Sequence, residues 1–194
     1  MKAHMDMTPT PSQTVGPFFH LGCTDPGSIG CLVTADTKGE RIRLTCRVLD
    51  GEGVAIPDAM IEIWQANAAG RYDHPEDTQA LPLDSSFHGF GRLATDGNGA
   101  CEFETIRPGC VPANDGTLQA PHINVSMFAR GVLTRLATRI YFAGDPANAA
   151  DPALQLVPAE RRDTLLARAD SSHVNHWRFD IHLCGGNETV FFDV

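Results

Sequence analysis

Nowhere in the 194 residues is there a run of about 18 or more apolar side chains, the length a helix needs to cross a bilayer. The opening MKAHMDM has no apolar run before its first prolines, so no secretory signal is expected and a cytoplasmic location is. Positive charge is also scarce. Fifteen Lys and Arg face 24 Asp and Glu, a formal net charge of −9, which argues against nucleic acid or an anionic membrane as partner. The six cysteines (Cys23, Cys31, Cys46, Cys101, Cys110 and Cys184) form no C-x-x-C pair. Reduced, mostly buried thiols are therefore expected rather than disulfides or a zinc knuckle. There is no Walker loop, no G-x-G-x-x-G fingerprint, no Ser-His-Asp order, no internal repeat and no low-complexity tract.

What is present is an all-β pattern. The stretch RIRLTCRVLD alternates, with Ile42, Leu44, Cys46 and Val48 on one face and Arg41, Arg43, Thr45 and Arg47 on the other. AMIEIWQA, CEFETI, HINVSMFA, RLATRIYF, HWRFDIHL and ETVFFDV read as further strands. TDGNG at 95–99 reads as a hairpin turn, and RPGCVPANDG as a loop that continues no ladder. VPAERRDTLLARAD reads as the one short helix, with Pro158 in its first turn, Glu160 at its positive end and Arg168 near its other end. A composition of 42% hydrophobic and 20% charged residues fits one globular core. The expected fold is a mixed-topology β-sandwich spanning 20–194, preceded by an extended arm at 1–19 stiffened by Pro9, Pro11 and Pro17.

The chemistry concentrates on the strand APHINVSMFARG. Side chains at alternate positions share a face, so His122, Asn124 and Ser126 point the same way. A second histidine at 124 would complete a two-imidazole metal clamp, but the residue is an asparagine, whose neutral amide is a poor ligand. Most lone strand histidines are satisfied structural residues. Tyr72 is one of two tyrosines and lies in a polar loop, where tyrosine commonly packs with its hydroxyl wet; its phenolate would also suit a ferric ion. Arg178, Asp180 and His182 share a face that reads as solvated or as an interface.

Several long segments resemble one family. TPSQTVGPFFHLG, IEIWQANAAGRYDHPED, GFGRLATDGNGACEFETIRPG, APHIN, FARG, RIYF and RFDIHL…GNETVFFDV are similar to the intradiol ring-cleaving dioxygenases, most of all to the non-iron alpha chain of the two-chain members. The resemblance runs from about residue 8 to the C-terminus. It implies a β-sandwich and oxygen insertion between the two hydroxylated carbons of a catechol, at an Fe(III) held by two tyrosinates and two histidines of a beta partner chain.

Position by position, the resemblance also implies that the metal has been lost here. Tyr72 and His122 match two ligands, Val111 (or its neighbour Cys110) stands where the second tyrosine is expected, and Asn124 replaces the second histidine. An arginine preceding the histidines in the iron-bearing chain is Gln119, and a glutamine two residues before YF is Arg139. The expected metal content of this chain is none, with Tyr72, Val111, His122 and Asn124 as relic ligand positions. Each active site in the family lies at an alpha–beta contact, so the resemblance gives Thr14, Val15, Gly16, Pro17 and Arg130 as substrate-pocket lining. Arg130 would attract the carboxylate of a small aromatic acid, with O₂ as the second substrate. Two other readings stand beside this one. The first is a structural partner module with no part in a pocket. The second is a self-sufficient metalloenzyme adding donors from His173, His176, Asp180 or His182 to Tyr72 and His122.

Overall fold

A computed structural model of the chain describes residues 9–24, 27–113 and 116–194, with the side chains of Pro17 and His20 outside the described set. Residues 1–8 of the expected arm therefore lie outside the described residues, as do Asn114 and Asp115 of the RPGCVPANDG loop. Among the described residues the strands are β1 (Arg41–Leu49), β2 (Met60–Gln65), β3 (Phe90–Ala94), β4 (Ala100–Ile106), β5 (Val111–Pro112), β6 (Leu118–Gln119), β7 (His122–Phe128), β8 (Leu136–Phe142), β9 (Leu166–Ala169) and β10 (His176–His182). Two short α-helices, α1 (Pro17–Cys23) and α2 (Pro152–Leu156), and two 3₁₀ turns, Pro146–Ala150 and Ala159–Leu165, complete the elements.

Eight strands form one continuous ladder in the order β3-β2-β7-β8-β9-β10-β1-β4. It folds over at β9, which pairs parallel with β8 and antiparallel with β10. The other parallel pairing is β1 with β10, so the topology is mixed, as expected. The two outer edges nearly meet, because Ile29 bridges to Arg92 of β3 and Cys31 to Glu104 of β4. Ile42, Leu44, Cys46 and Val48 all point inward, as their alternation predicts. They join Ile61, Ile63, Ile123, Val125, Met127, Phe179 and Ile181 in one apolar core shared by both layers. Burial of such a core is the main favourable term in folding.

The structure corrects several local expectations. TDGNG is a tight turn, with Asp96 Oδ1 accepting from the N–H groups of Asn98 and Ala100, but it is not a hairpin. The strands it joins, β3 and β4, pair with β2 and β1 at opposite ends of the ladder. The expected helix in VPAERRDTLLARAD is a 3₁₀ turn followed by strand β9, which carries Arg168. Leu165 and Ala167, two apart and fully buried, follow strand period, and pairing with β8 and β10 outweighs local helix preference. Residues 9–16 belong to no helix or strand; the Phe19 N–H then donates to the Gly16 carbonyl and α1 begins at Pro17, a residue suited to a first helical position. Val111 and Pro112 do form a two-residue ladder with Gln119 and Leu118, whereas ETVFFDV makes only one bridge, Phe192 to Ala137. The cysteines are free, as expected, but only Cys46 and Cys101 are buried; Cys31 and Cys184 are exposed.

Candidate functional site

Strand β7 has two different faces. Ile123, Val125 and Met127 face the core, while His122, Asn124 and Ser126 face the outer side of their layer. Register puts Asn124 between Trp64 of β2 and Arg139 of β8, and His122 beside Tyr141. The QANAAGRY loop then covers this face. Asn67 Oδ1 accepts from the Ala69 and Arg71 N–H groups, and Gly70 has a φ of +87°. A Cβ at Gly70 would run into the Cys110 carbonyl oxygen, so only glycine lets this loop close on the segment carrying Val111. Tyr72 leaves the loop stacked on Trp64, with ring centroids 5.7 Å apart.

The structure thus brings Tyr72, His122 and Asn124 into one cluster. The Asn124 amide donates to the Tyr72 hydroxyl oxygen at 3.1 Å, and Tyr72 Oη lies 3.3 Å from His122 Nε2. His122 Nδ1 lies 2.7 Å from the Ala120 carbonyl, which can only accept, so Nδ1 carries the proton and Nε2 is the acceptor for the tyrosine O–H. Ala120 is itself held by buried Asp151, whose Oδ2 accepts from its N–H at 2.8 Å. Burial pushes the Tyr72 hydroxyl above its ordinary range. Burial, with the Arg139 guanidinium second, lowers His122 to about 4, so the phenol and imidazole are both neutral near pH 7. Arg139 donates to Gln119 Oε1 at 2.8 Å.

These residues do not fit a ferric ion. The set offers one protonated phenol, one imidazole whose free nitrogen already accepts a proton, and an amide whose N–H points at the phenol. Val111, the remaining position, is a buried apolar side chain. Arg139 lies across the register from Asn124, adding a positive charge where a cation would sit. His173, His176, Asp180 and His182 cannot complete the set. Phe179 and Ile181, which alternate with His176, Asp180 and His182 on β10, fill the same core as Ile123 and Val125, and the His173 ring meets that of His176, so the two groups of donors lie on opposite outer faces of the sandwich.

The N-terminal arm builds a second region. Thr14 Oγ1 accepts from the Gly131 N–H at 2.7 Å, tying the arm to the turn after β7, and Phe19 packs on Phe128 with ring centroids 5.4 Å apart. Val15, Gly16, Phe19, Leu21, Met60, Asp58 and Arg130 line a cavity of about 260 Å³. Arg130 and the expected arm residues Val15 and Gly16 are therefore neighbours, while Thr14 is a fastening rather than a wall. Pro17 opens α1, and its side chain lies outside the described set. Asp58, which sequence reading missed, holds Arg130 at 3.4 Å and has a φ of +62°. The only sequence signal for it is the turn-forming Pro57–Asp58 pair.

A family model described as Dioxygenase matches residues 15–185, and the chain belongs to the intradiol dioxygenase family. The protocatechuate 3,4-dioxygenase alpha chain of Burkholderia cepacia is 42% identical over 199 residues, covering 95% of this chain and 97% of that one. The protocatechuate 3,4-dioxygenase beta chain of the same organism is 43% identical over 158 residues, covering 78% of this chain and 67% of that one. Among solved structures, the dioxygenase domain of a dioxygenase–carbohydrate-binding fusion protein from Streptomyces sp. SirexAA-E has a TM-score of 0.62 at 28% identity, covering 92% of this chain and 100% of that one. Among the described residues, no helix is long and apolar enough to cross a membrane.

Proposed function

We propose that this chain is the alpha, non-iron subunit of a protocatechuate 3,4-dioxygenase. With an iron-bearing beta subunit it takes part in intradiol cleavage of protocatechuate by O₂ to 3-carboxy-cis,cis-muconate, in cytoplasmic catabolism of aromatic compounds. The observation that carries the reading is the state of the four ligand positions. Tyr72, His122 and Asn124 satisfy one another by hydrogen bonding, and Val111 supplies no donor. Length agrees: the match to the alpha relative runs over nearly all of both chains, while the beta relative extends well beyond its match.

In this reading Fe(III) belongs to the beta subunit, and this chain binds and orients substrate. Val15 and Gly16 form apolar wall, and Thr14 fixes the arm in place. Arg130 lies at the rim of the cavity, where its guanidinium pairs the substrate carboxylate in exchange for Asp58. The arm and α1 then face the partner, for which the 84% exposed Phe18 is a suitable contact.

The deciding experiment is the iron content and visible spectrum of the chain purified alone, then of the chain co-purified with a beta subunit. The expected result is no stoichiometric iron and no tyrosinate-to-iron colour alone, with both, and ring cleavage, in the complex. Stoichiometric iron with that colour in the isolated chain would overturn the assignment.

A further inference from the structure

A second group of ligand-type side chains lies on the opposite outer face of the sandwich. The loop after β9 carries Asp170 and His173, and β10 opens on His176, giving the spacing D-x-x-H-x-x-H, and their ligand atoms all lie within 4.8 Å of one another. We propose that Asp170, His173 and His176 form a site for one divalent transition-metal ion of the zinc type, with Glu102 and Thr45 orienting His176.

The loop is built to hold this arrangement. The Asp170 N–H donates to the His176 carbonyl at 2.7 Å, closing the loop, and the Ser172 N–H donates to Asp170 Oδ1 at 2.9 Å. Asn175 takes a left-handed φ of +59°, which returns the chain so that the two histidine rings meet edge to face with centroids 5.8 Å apart.

The proton position favours metal binding at His176 but must change at His173: the Ser172 hydroxyl donates to Asp170 Oδ1 at 2.6 Å, so its oxygen accepts from His173 Nδ1–H at 3.1 Å, and that proton leaves or moves to Nε2 when Nδ1 takes an ion. His176 Nε2 is 2.8 Å from Thr45 Oγ1 and 3.2 Å from Glu102 Oε2. A carboxylate only accepts, so Nε2 bears the proton and the Nδ1 lone pair is turned towards Asp170. A carboxylate behind the far nitrogen of a histidine is the usual support for a metal ligand. From Asp170 Oδ2, His176 Nδ1 is 3.9 Å away and His173 Nδ1 is 3.5 Å away. Both separations are too long for a good direct hydrogen bond. Two donors on one tetrahedral zinc, each at about 2.0–2.1 Å, stand roughly 3.3 Å apart, so the two Asp–His separations close by less than about an ångström and the two histidine nitrogens, within 4.8 Å of each other, by up to about 1.5 Å. His173, with a 68% exposed side chain, is free to make these movements. Ser172 donates to Asp170 Oδ1 through both its N–H and its hydroxyl, which leaves Oδ2 as the oxygen turned towards an ion.

Arg178 is the competitor. Its Nη2 lies 2.6 Å from Asp170 Oδ2, and its side chain is 62% exposed, so it can swing into solvent when an ion takes that oxygen. The site therefore predicts opposite effects from different neighbours. Glu102→Gln weakens binding by roughly 10- to 100-fold without removing a ligand. Arg178→Gln tightens it.

The test is equilibrium dialysis of the metal-stripped full-length chain against Zn²⁺ alone, with Co²⁺ as a spectroscopic probe of tetrahedral geometry. One zinc per chain is expected at low micromolar free metal, with affinity falling roughly tenfold or more in His173→Ala. His173 touches only Asp170, Ser172 and the His176 ring, so this variant is expected to stay folded even where His176→Ala does not. His122→Gln should bind zinc unchanged. The proposal is overturned by the absence of saturable binding in the parent chain, by unaltered binding in His173→Ala, or by loss of binding in His122→Gln. Zinc at this site gives no tyrosinate colour, so the result cannot be confused with iron at Tyr72.

Discussion

Replacing Arg130 by alanine removes the one guanidinium at the rim of the arm cavity. In the free chain it pairs with Asp58 at 3.4 Å, and both side chains are largely exposed, at 69% and 54%. Such a pair contributes about 0–1 kcal/mol, so its loss should barely affect folding. A charge-assisted contact to a substrate carboxylate covered by a partner subunit contributes about 1.5–3 kcal/mol. Subtracting the exchange with Asp58 leaves about 1–2 kcal/mol, or roughly a 5- to 30-fold rise in KM. Steady-state oxygen uptake by the assembled enzyme should show this rise for protocatechuate, with KM for uncharged catechol within about twofold of the parent. Asp58→Asn removes the competing carboxylate and should lower KM for protocatechuate by up to about fivefold. Equal rises for both substrates in Arg130→Ala would refute the carboxylate role. They would point instead to lost packing of the arginine stem.

The His122 environment predicts a pH dependence of stability. Its folded-state value of about 4 lies below the ordinary 6.5, so as pH falls through this window the unfolded chain takes up the proton first and stability is lost; above 6.5 the effect vanishes. Between pH 7.5 and 4.5 the parent should lose about 2–3 kcal/mol more than His122→Gln in urea unfolding, and parallel losses would show that His122 is not the group responsible. Thr14→Val deletes the oxygen that accepts from the Gly131 N–H and should loosen the arm by about 1 kcal/mol. Limited proteolysis within the arm should speed up roughly fivefold while thermal unfolding of the sandwich stays nearly unchanged; an unaltered cleavage rate would mean that the Phe19–Phe128 contact alone holds the arm.

Features decided within a few residues were legible in the sequence, and features decided by distant partners were not. The alternation in β1 marks its buried face because both facts arise from the two-residue strand period. The same period places His122 and Asn124 side by side, so half of the ligand question was answerable from one strand. TDGNG shows where this stops. Asp96 and Gly99 specify the turn locally, yet nothing in those five residues says that the following strand pairs with β1 rather than with β3. The stretch from Pro158 to Asp170 is a sharper case, since it carries good helix formers and also a buried Leu165–Ala167 pair at strand spacing. The strand prevails only because the edges of β8 and β10 lie on either side of it.

The same distinction separates which donors the candidate site offers from how they are wired. A valine and an amide donate no charge wherever they are folded, so the expectation that positions 111 and 124 supply no anionic ligand follows from residue types once the positions are aligned with the family. The wiring depends on contacts across 50 residues for Tyr72 with His122 and 72 for Arg130 with Asp58. Those contacts pair the phenol, imidazole and amide with one another beneath a loop that would otherwise bury them unpaired. Leaving them unpaired there would cost about 1–3 kcal/mol for each orphaned group. Beside the cluster Arg139 and Gln119 meet at 2.8 Å, with the guanidinium carried on the strand next to Asn124. The cluster is therefore a buried hydrogen-bonded set in which the phenol, imidazole and amide satisfy one another directly.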